Sequence, residues 1–271
     1  MSDALDKGLR ILEEIATAPT QPTAQELASR IGIHKTNVYR YLKTLEERRY
    51  IRRDPSGHFR LAYRVLELGA YLLQETSLRE DAHQDLLRLS RETAKTIHLC
   101  VLEEAEVLYV DKIEGPQTLP MRSRVGSRVP AHSTASGKIL LAQLPADERD
   151  RVVRDMPLER RTEATIVDRE ALLEELRMSA EQGYATDHGE NEEHICCLAA
   201  PIFDQSGRAV AAISLTGLVS ELIDPEEHGR IRKLVLATAM KVSEKRGHIK
   251  TEERTQPHGR AHSDDPERIG R

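Results

Sequence analysis

At 271 residues the chain exceeds one typical domain and falls short of three large ones, so two domains are expected. Hydrophobic residues at 39% and charged residues at 31% supply two cores and exclude wholesale disorder; no apolar run approaches a membrane span, and the opening MSDALDKGLR lacks the stretch of a secretory signal, so a cytoplasmic location is expected. The net charge of −5 does not itself point to nucleic acid, yet residues 30–64 hold ten Lys and Arg against three acids, a local charge of +7 that would release counterions from a polyanion.

In chain order, Leu5, Leu9, Leu12 and Ala16 recur at spacings of three and four, which predicts a first helix with one apolar face ending before Pro19. Thr23 followed by Glu26 has the pattern of a capping box, and Leu27, Ala28 and Ile31 supply the buried stripe of a second helix that Gly32 ends. A third helix starts near His34 or Lys35, with Val38, Tyr41, Leu42 and Leu45 inward. Its outer face offers Lys35, Thr36, Asn37, Tyr39, Arg40 and Lys43, side chains suited to phosphates and base edges in a major groove. Two short alternating runs follow, 50–53 and 58–61, joined by Asp54-Pro55-Ser56-Gly57, a turn in which Pro presets one dihedral angle and Gly tolerates a positive one. A basic hairpin carrying Arg52, Arg53, His58 and Arg60 beside the third helix is a wing. A plain three-helix bundle with a basic solvated face is the alternative. Capping box, turn glycine, polar outer face and basic hairpin, in that order, favour the winged helix-turn-helix.

The stretch TAQELASRIGIHKTNVYRYLKTLEERRYIRRDPSGHFRLAYRVLELG resembles the DNA-binding region of the IclR family of bacterial regulators, from second helix through wing to linker helix. The resemblance places Thr36, Asn37, Tyr39 and Arg40 where that family's recognition helix presents its contacts. Asn37 stands where a hydroxyl residue is common; asparagine can bond adenine in bidentate fashion, and a phosphate contact or a helix cap are its other roles. Residues 65–76 form a largely apolar helical pattern, too apolar for an exposed tether, and a second subunit is an available partner. By resemblance this helix links two domains and the DNA-binding heads pair across a two-fold axis, so a homodimer is expected, or a dimer of two dimers.

A more charged helix is predicted over 77–96, and from Ile97 the pattern turns to period two. Strands are expected at 97–102, 107–113, 121–125, 198–203 and 209–216, the last apolar enough to be central, with helices near 135–144, 147–154, 168–181 and 225–246. The fold class is therefore α+β: an N-terminal winged helix-turn-helix (1–64), a linker helix (65–77), and a mixed α/β domain with an antiparallel sheet (78–247), GAF-like and effector-binding by the resemblance. The remainder, 248–271, is polar and without periodicity, so it is expected to be a disordered tail, its His248, His258 and His262 solvated.

Ser133 and Thr134 precede a helix whose first amides and dipole favour an anion, while Ser214 and Thr216, two apart on a strand, share a face. Hydroxyls plus a helix start suit a carboxylate. Three further stretches carry the family resemblance, around 132–138, 183–190, and 197–203 with 212–216. It assigns Gly126, Ala135, Asp187, Cys197, Ser214 and Thr216 to an effector pocket that takes a small organic acid. The sequence departs from the family at His194, where glycine is frequent, and at Cys196. The run 187–197 holds metal-ligating residue types, but its spacing matches no zinc signature, so it reads as a solvated acidic loop and neither metal nor cofactor is expected. Cys100, Cys196 and Cys197 are an odd set without Cys-x-x-Cys spacing, which argues against a disulfide scaffold. Ser136-Gly137-Lys138 hints at a hydrolase and Cys197 at a nucleophile, yet no Gly-x-Ser-x-Gly elbow, phosphate loop or dinucleotide fingerprint is present, so no catalytic residue is assigned. A second domain serving assembly alone is the other alternative. The sequence thus reads as a DNA-binding transcription regulator, by resemblance a repressor of a catabolic operon.

Overall fold

The computed structural model describes residues 3–75, 78–116, 123–222 and 224–249, and it divides into two compact units, Met1–Arg79 and Glu80–Arg271. The first holds α1 (Asp3–Thr17), α2 (Ala24–Ile31), α3 (Lys35–Glu47), β1 (Ile51–Arg53), β2 (Phe59–Leu61) and α4 (Tyr63–Glu75). The capping box forms as expected: Thr23 Oγ1 accepts from the Glu26 backbone N–H at 3.3 Å and Glu26 Oε2 accepts from the Thr23 backbone at 2.7 Å. Gly32 closes α2 at φ 72°, a conformation that costs glycine nothing. The face of α1 differs from expectation. Ile11 and Ile15 are buried, with Leu12 partly so, whereas Leu5 and Leu9 are exposed and Ala16 points outward. Both stripes have helical spacing, and packing against α3 selects the β-branched one. Ile11, Leu27 and Val38 are fully buried, each worth about 1.5–3 kcal/mol.

The wing forms across Asp54-Pro55-Ser56-Gly57, where Asp54 donates its N–H to His58 O and Gly57 adopts φ 91°. It is tied back to α2, since Phe59 donates its N–H to Pro22 O at 2.9 Å and Thr23 bridges His58. On α4, Tyr63, Leu66 and Leu68 are exposed within this single chain.

The second unit holds α5 (Leu78–Thr93), β3 (Thr96–Glu103), β4 (Glu106–Ile113), β5 (Arg128–Pro130), α6 (Ala135–Ala142), α7 (Ala146–Asp155), α8 (Arg169–Gln182), β6 (Ala185–His188), β7 (Ile195–Phe203), β8 (Ala209–Leu218), α9 (Val219–Leu222) and α10 (Pro225–Lys245). One six-stranded sheet runs β5-β4-β3-β8-β7-β6, every neighbour antiparallel. β8 is buried on both faces, as its apolar run requires. The charged helix ends at Thr93 rather than Thr96, because Ala94 turns left-handed at φ 55° and Thr96 already pairs in β3. The strand expected at 121–125 does not form over its described part, 123–125; a turn there delivers β5 instead. β6 went unpredicted, its four residues being too few to show alternation. Of the tail expected over 248–271 only 248–249 are described, and His248 is not solvated, since its ring stacks on Phe203 at 5.1 Å and its backbone N–H donates to Ser243 O at 3.0 Å; the rest of the tail, from residue 250, and the end of the linker, 76–77, lie outside the described residues.

α6 is buried at every position and packs on β7, β8 and α8. Its Gly137 is obligatory on contact grounds: a Cβ there would lie 2.2 Å from Ala131 O. α10 is clamped to α5 by buried Asp85, which meets Lys241 Nζ at 2.9 Å and Lys245 Nζ at 2.5 Å.

Candidate nucleic-acid interface and ligand pocket

Val38 and Leu42 anchor α3 in the first core, which turns Lys35, Thr36, Asn37, Tyr39, Arg40 and Lys43 outward, all exposed. His34 caps the helix, its Nδ1 accepting from the Thr36 backbone at 3.4 Å. Arg40 lies 5.3 Å from the Tyr41 ring centroid, and Lys35 Nζ reaches Gln25 Oε1 at 3.3 Å.

On the wing, Arg52 pairs directly opposite Arg60. Like charges in register across a hairpin repel, so the pair is a cost to the fold that an anion lying over it would remove. Arg52 lies over the Tyr63 ring at 5.6 Å and Arg53 over the Phe59 ring at 5.7 Å. His58 is half-buried in the turn, its Nδ1 3.0 Å from Ser56 Oγ and its backbone N–H donated to Asp54 Oδ1. The ten interface candidates therefore fall into an exposed helix face, an opposed arginine pair, and two residues engaged within the wing.

In the second unit a cavity of about 30 Å³ opens at the start of α6, lined by Thr134, Ala135, Asp187, Cys197, Ser214 and Thr216 among the residues singled out from sequence. Register explains the convergence. Asp187 stands opposite Cys197, Cys197 opposite Thr216, and Ser214 opposite His98, so strands β6, β7, β8 and β3 present a continuous polar strip on one face. Thr134 caps α6, accepting from Gly137 N at 3.2 Å. Ser133 and Gly126 do not line the cavity. Ser133 Oγ donates to Asn191 Oδ1 at 3.3 Å, and Gly126, at φ 85°, donates its N–H to Tyr109 O at 2.8 Å; each holds a wall residue.

His98, Tyr109, Ser123, Ser136, Asn191 and Glu192 also line the cavity, and sequence reasoning missed them. A histidine inside the apolar run IHLCV was the available signal. Tyr109 had none, because it reaches this face through a bulge that skips Val110 between the partners of Leu99 and Cys100. His98 Nε2 lies 2.9 Å from Ser123 Oγ and its Nδ1 3.5 Å from Thr216 Oγ1. Burial, with Lys112 adding to it, holds that imidazole neutral, its pKa lowered to about 3. Burial also pushes the Cys197 thiol well above its ordinary value, which removes the thiolate a nucleophile needs.

The run 187–197 is only partly a solvated acidic loop, with His188, Glu193 and His194 exposed but two of its acids withdrawn from solvent. Asp187 and Glu190 are buried; Glu190 Oε1 meets Lys138 Nζ at 2.7 Å and the Glu190 carbonyl accepts from Thr165 Oγ1 at 2.6 Å. Lys138, the apparent catalytic lysine of Ser-Gly-Lys, is fully buried and also meets Glu175 Oε1 at 3.1 Å, a structural pairing.

Two family models match the chain: the IclR helix-turn-helix domain over residues 4–55 and the bacterial transcriptional regulator IclR C-terminal domain over residues 70–244. The chain is 35% identical over 224 residues to the HTH-type transcriptional regulator XynR of Escherichia coli, covering 82% of this chain and 89% of that protein. Its structure is similar to the crystal structure of Thermotoga maritima IclR, with TM-score 0.78 and 32% identity over 92% of this chain and 100% of the other. It is also similar to an IclR homologue from Microbacterium hydrocarbonoxydans crystallised with 4-hydroxybenzoate, with TM-score 0.79 and 25% identity over 89% and 98%. The curated relatives are transcription regulators, not enzymes.

Proposed function

Because the chain belongs to the IclR family of bacterial transcription regulators, we propose that it represses a catabolic operon and releases or reshapes its grip on DNA when a small carboxylated metabolite binds the second unit. The observation that carries the DNA half is the cross-strand pair Arg52 and Arg60, two like charges in register on the wing whose juxtaposition a phosphate chain lying across them would relieve. Lys35, Arg40 and Lys43, with Arg53 and His58 of the wing, add to backbone positioning, while Thr36, Asn37 and Tyr39 read base edges.

The ligand half rests on Thr134, Ala135, Ser214 and Thr216, which bring hydroxyls and a helix start to one cavity. Asp187 and Cys197 complete its wall, with Ser133 and Gly126 as supports. A relative crystallised with an aromatic acid lends support to this ligand class. The cavity is small, so an effector of metabolite size must widen it, and that widening is the differential contact through which binding shifts a conformational equilibrium. Exposed Tyr63, Leu66 and Leu68 on α4 suit burial against a second copy, giving a homodimer, or a dimer of two dimers, in the cytoplasm. Among the described residues no helix is long and apolar enough to cross a membrane.

A thermal-shift screen of organic, aromatic and sugar acids, followed by DNA binding at several salt concentrations with each hit, tests the whole reading. DNA affinity indifferent to every stabilising acid would reduce the second unit to an assembly domain. No salt-dependent attraction to any DNA, including the region upstream of its own gene, would remove the first half.

A further inference from the structure

This inference rests on the carboxylate pocket proposed above and concerns the charge state of its wall. The Asp187 carboxyl, on β6, is 2% exposed, and its Oδ1 accepts the Glu190 backbone N–H at 2.6 Å. The cation acting on it, Lys138 of α6, is itself buried and already held by Glu190 at 2.7 Å and Glu175 at 3.1 Å. Three carboxyl groups thus share one ammonium.

Among the described residues that line the cavity with Asp187, none adds a positive charge. On β7, burial raises the thiols of Cys196 and Cys197 and keeps them neutral. On β4, burial raises the Tyr109 phenol likewise, and His98 on β3 is held neutral. Among the described residues the cavity wall carries two carboxyl groups, Asp187 and Glu192, and no lysine or arginine.

A carboxylate arriving here would bring one more negative charge against Asp187. Two carboxylates in contact within a dry site cannot both stay ionised, whereas a single proton between them converts repulsion into a short, strong O–H···O hydrogen bond. We propose that the pocket takes up its carboxylate ligand together with one proton from solvent, shared between the ligand and Asp187. That proton is available near neutrality: burial, reinforced by the Glu190 charge, raises Asp187 to about 7 against the lowering effect of the Glu190 and Asn191 N–H donors and Lys138. The balance is one anion and one proton in, with no covalent bond other than O–H formed.

The sign follows. A raised folded-state value means the proton is present below neutrality and is lost as pH rises, so binding of an anionic acid weakens from pH 6 to pH 8 by about tenfold. The test is calorimetry on the full chain with acetate, pyruvate, benzoate and 4-hydroxybenzoate at both pH values, in buffers of different ionisation enthalpy. Uptake of about one proton per ligand at pH 8, together with a pH-independent affinity in a folded D187N chain, is the expected result. Equal affinity at both pH values without proton uptake overturns the proposal and leaves the carboxylate reading standing. Binding of the corresponding amides but none of the acids overturns both. A ligand-free arm stands independently of any probe: the Asp187 carboxyl ¹³C resonance, assigned by its loss in D187N, should titrate near neutrality, and titration near pH 4 overturns the proposal.

Discussion

His194 holds a left-handed backbone at φ 68° between β6 and β7, its carbonyl accepting from Val219 N at 2.9 Å. An imidazole-bearing residue in that region is strained, and glycine is not, so His194→Gly should raise stability by about 1 kcal/mol. Urea unfolding checks it; an unchanged or lower midpoint would mean the imidazole makes a stabilising contact that outweighs the strain. Lys138 is the opposite case, a residue whose charge is needed because Glu190 is buried with it. Lys138→Met strands Glu190 and should cost about 3–5 kcal/mol by the same measurement. A loss under 1 kcal/mol would show that Glu190 sheds its charge cheaply. Residue identity alone could not reveal this. In sequence Lys138 reads as part of a reactive triplet, and only the fold discloses the two glutamates, one 37 and the other 52 positions away, that neutralise it. Ser214 and Thr216 were legible because period two is local, whereas Tyr109 depended on a bulge.

At the scale of elements, α2 and the wing are one device. The Thr23 cap starts the helix and also bridges His58, while the Pro22 carbonyl receives the Phe59 amide, so the hairpin is held by the turn that opens α2. Arg52 and Arg60 are thereby presented on a braced strand pair. Replacing either by Gln should lower the slope of log affinity against log salt by about 1 and weaken binding alike for all DNA sequences. A changed sequence preference with an unchanged slope would place the side chain on a base instead. Turns and caps were readable because their chemistry lies within four residues, as in Asp54-Pro55-Ser56-Gly57. The buried face of α1 was not, since Leu5-Leu9 and Ile11-Ile15 both satisfy helical spacing and tertiary packing chose between them.

Across the whole molecule the charge is segregated: a +7 stretch at 30–64 within a chain of net −5. DNA attraction and ligand binding are thus assigned to different units, and a change in one need not harm the other. Ser214→Ala combined with Thr216→Val should abolish the thermal response to acids while salt-dependent DNA affinity in the absence of ligand is retained. Loss of both together would indicate a folding defect, which circular dichroism would register. The change of hydrophobic period near Ile97 marks where the sheet of the second unit begins, and the strand order was not legible, because pairing partners such as His98 and Ser214 lie more than a hundred residues apart. The sheet has a further consequence for the protein's life in a crowded cell. Its outermost strands are three and four residues long, and β5 ends in Pro130, which has no amide to offer. An intruding chain would find few unpaired backbone groups along β5 or β6, so neither of these two border strands offers a long template for stacking.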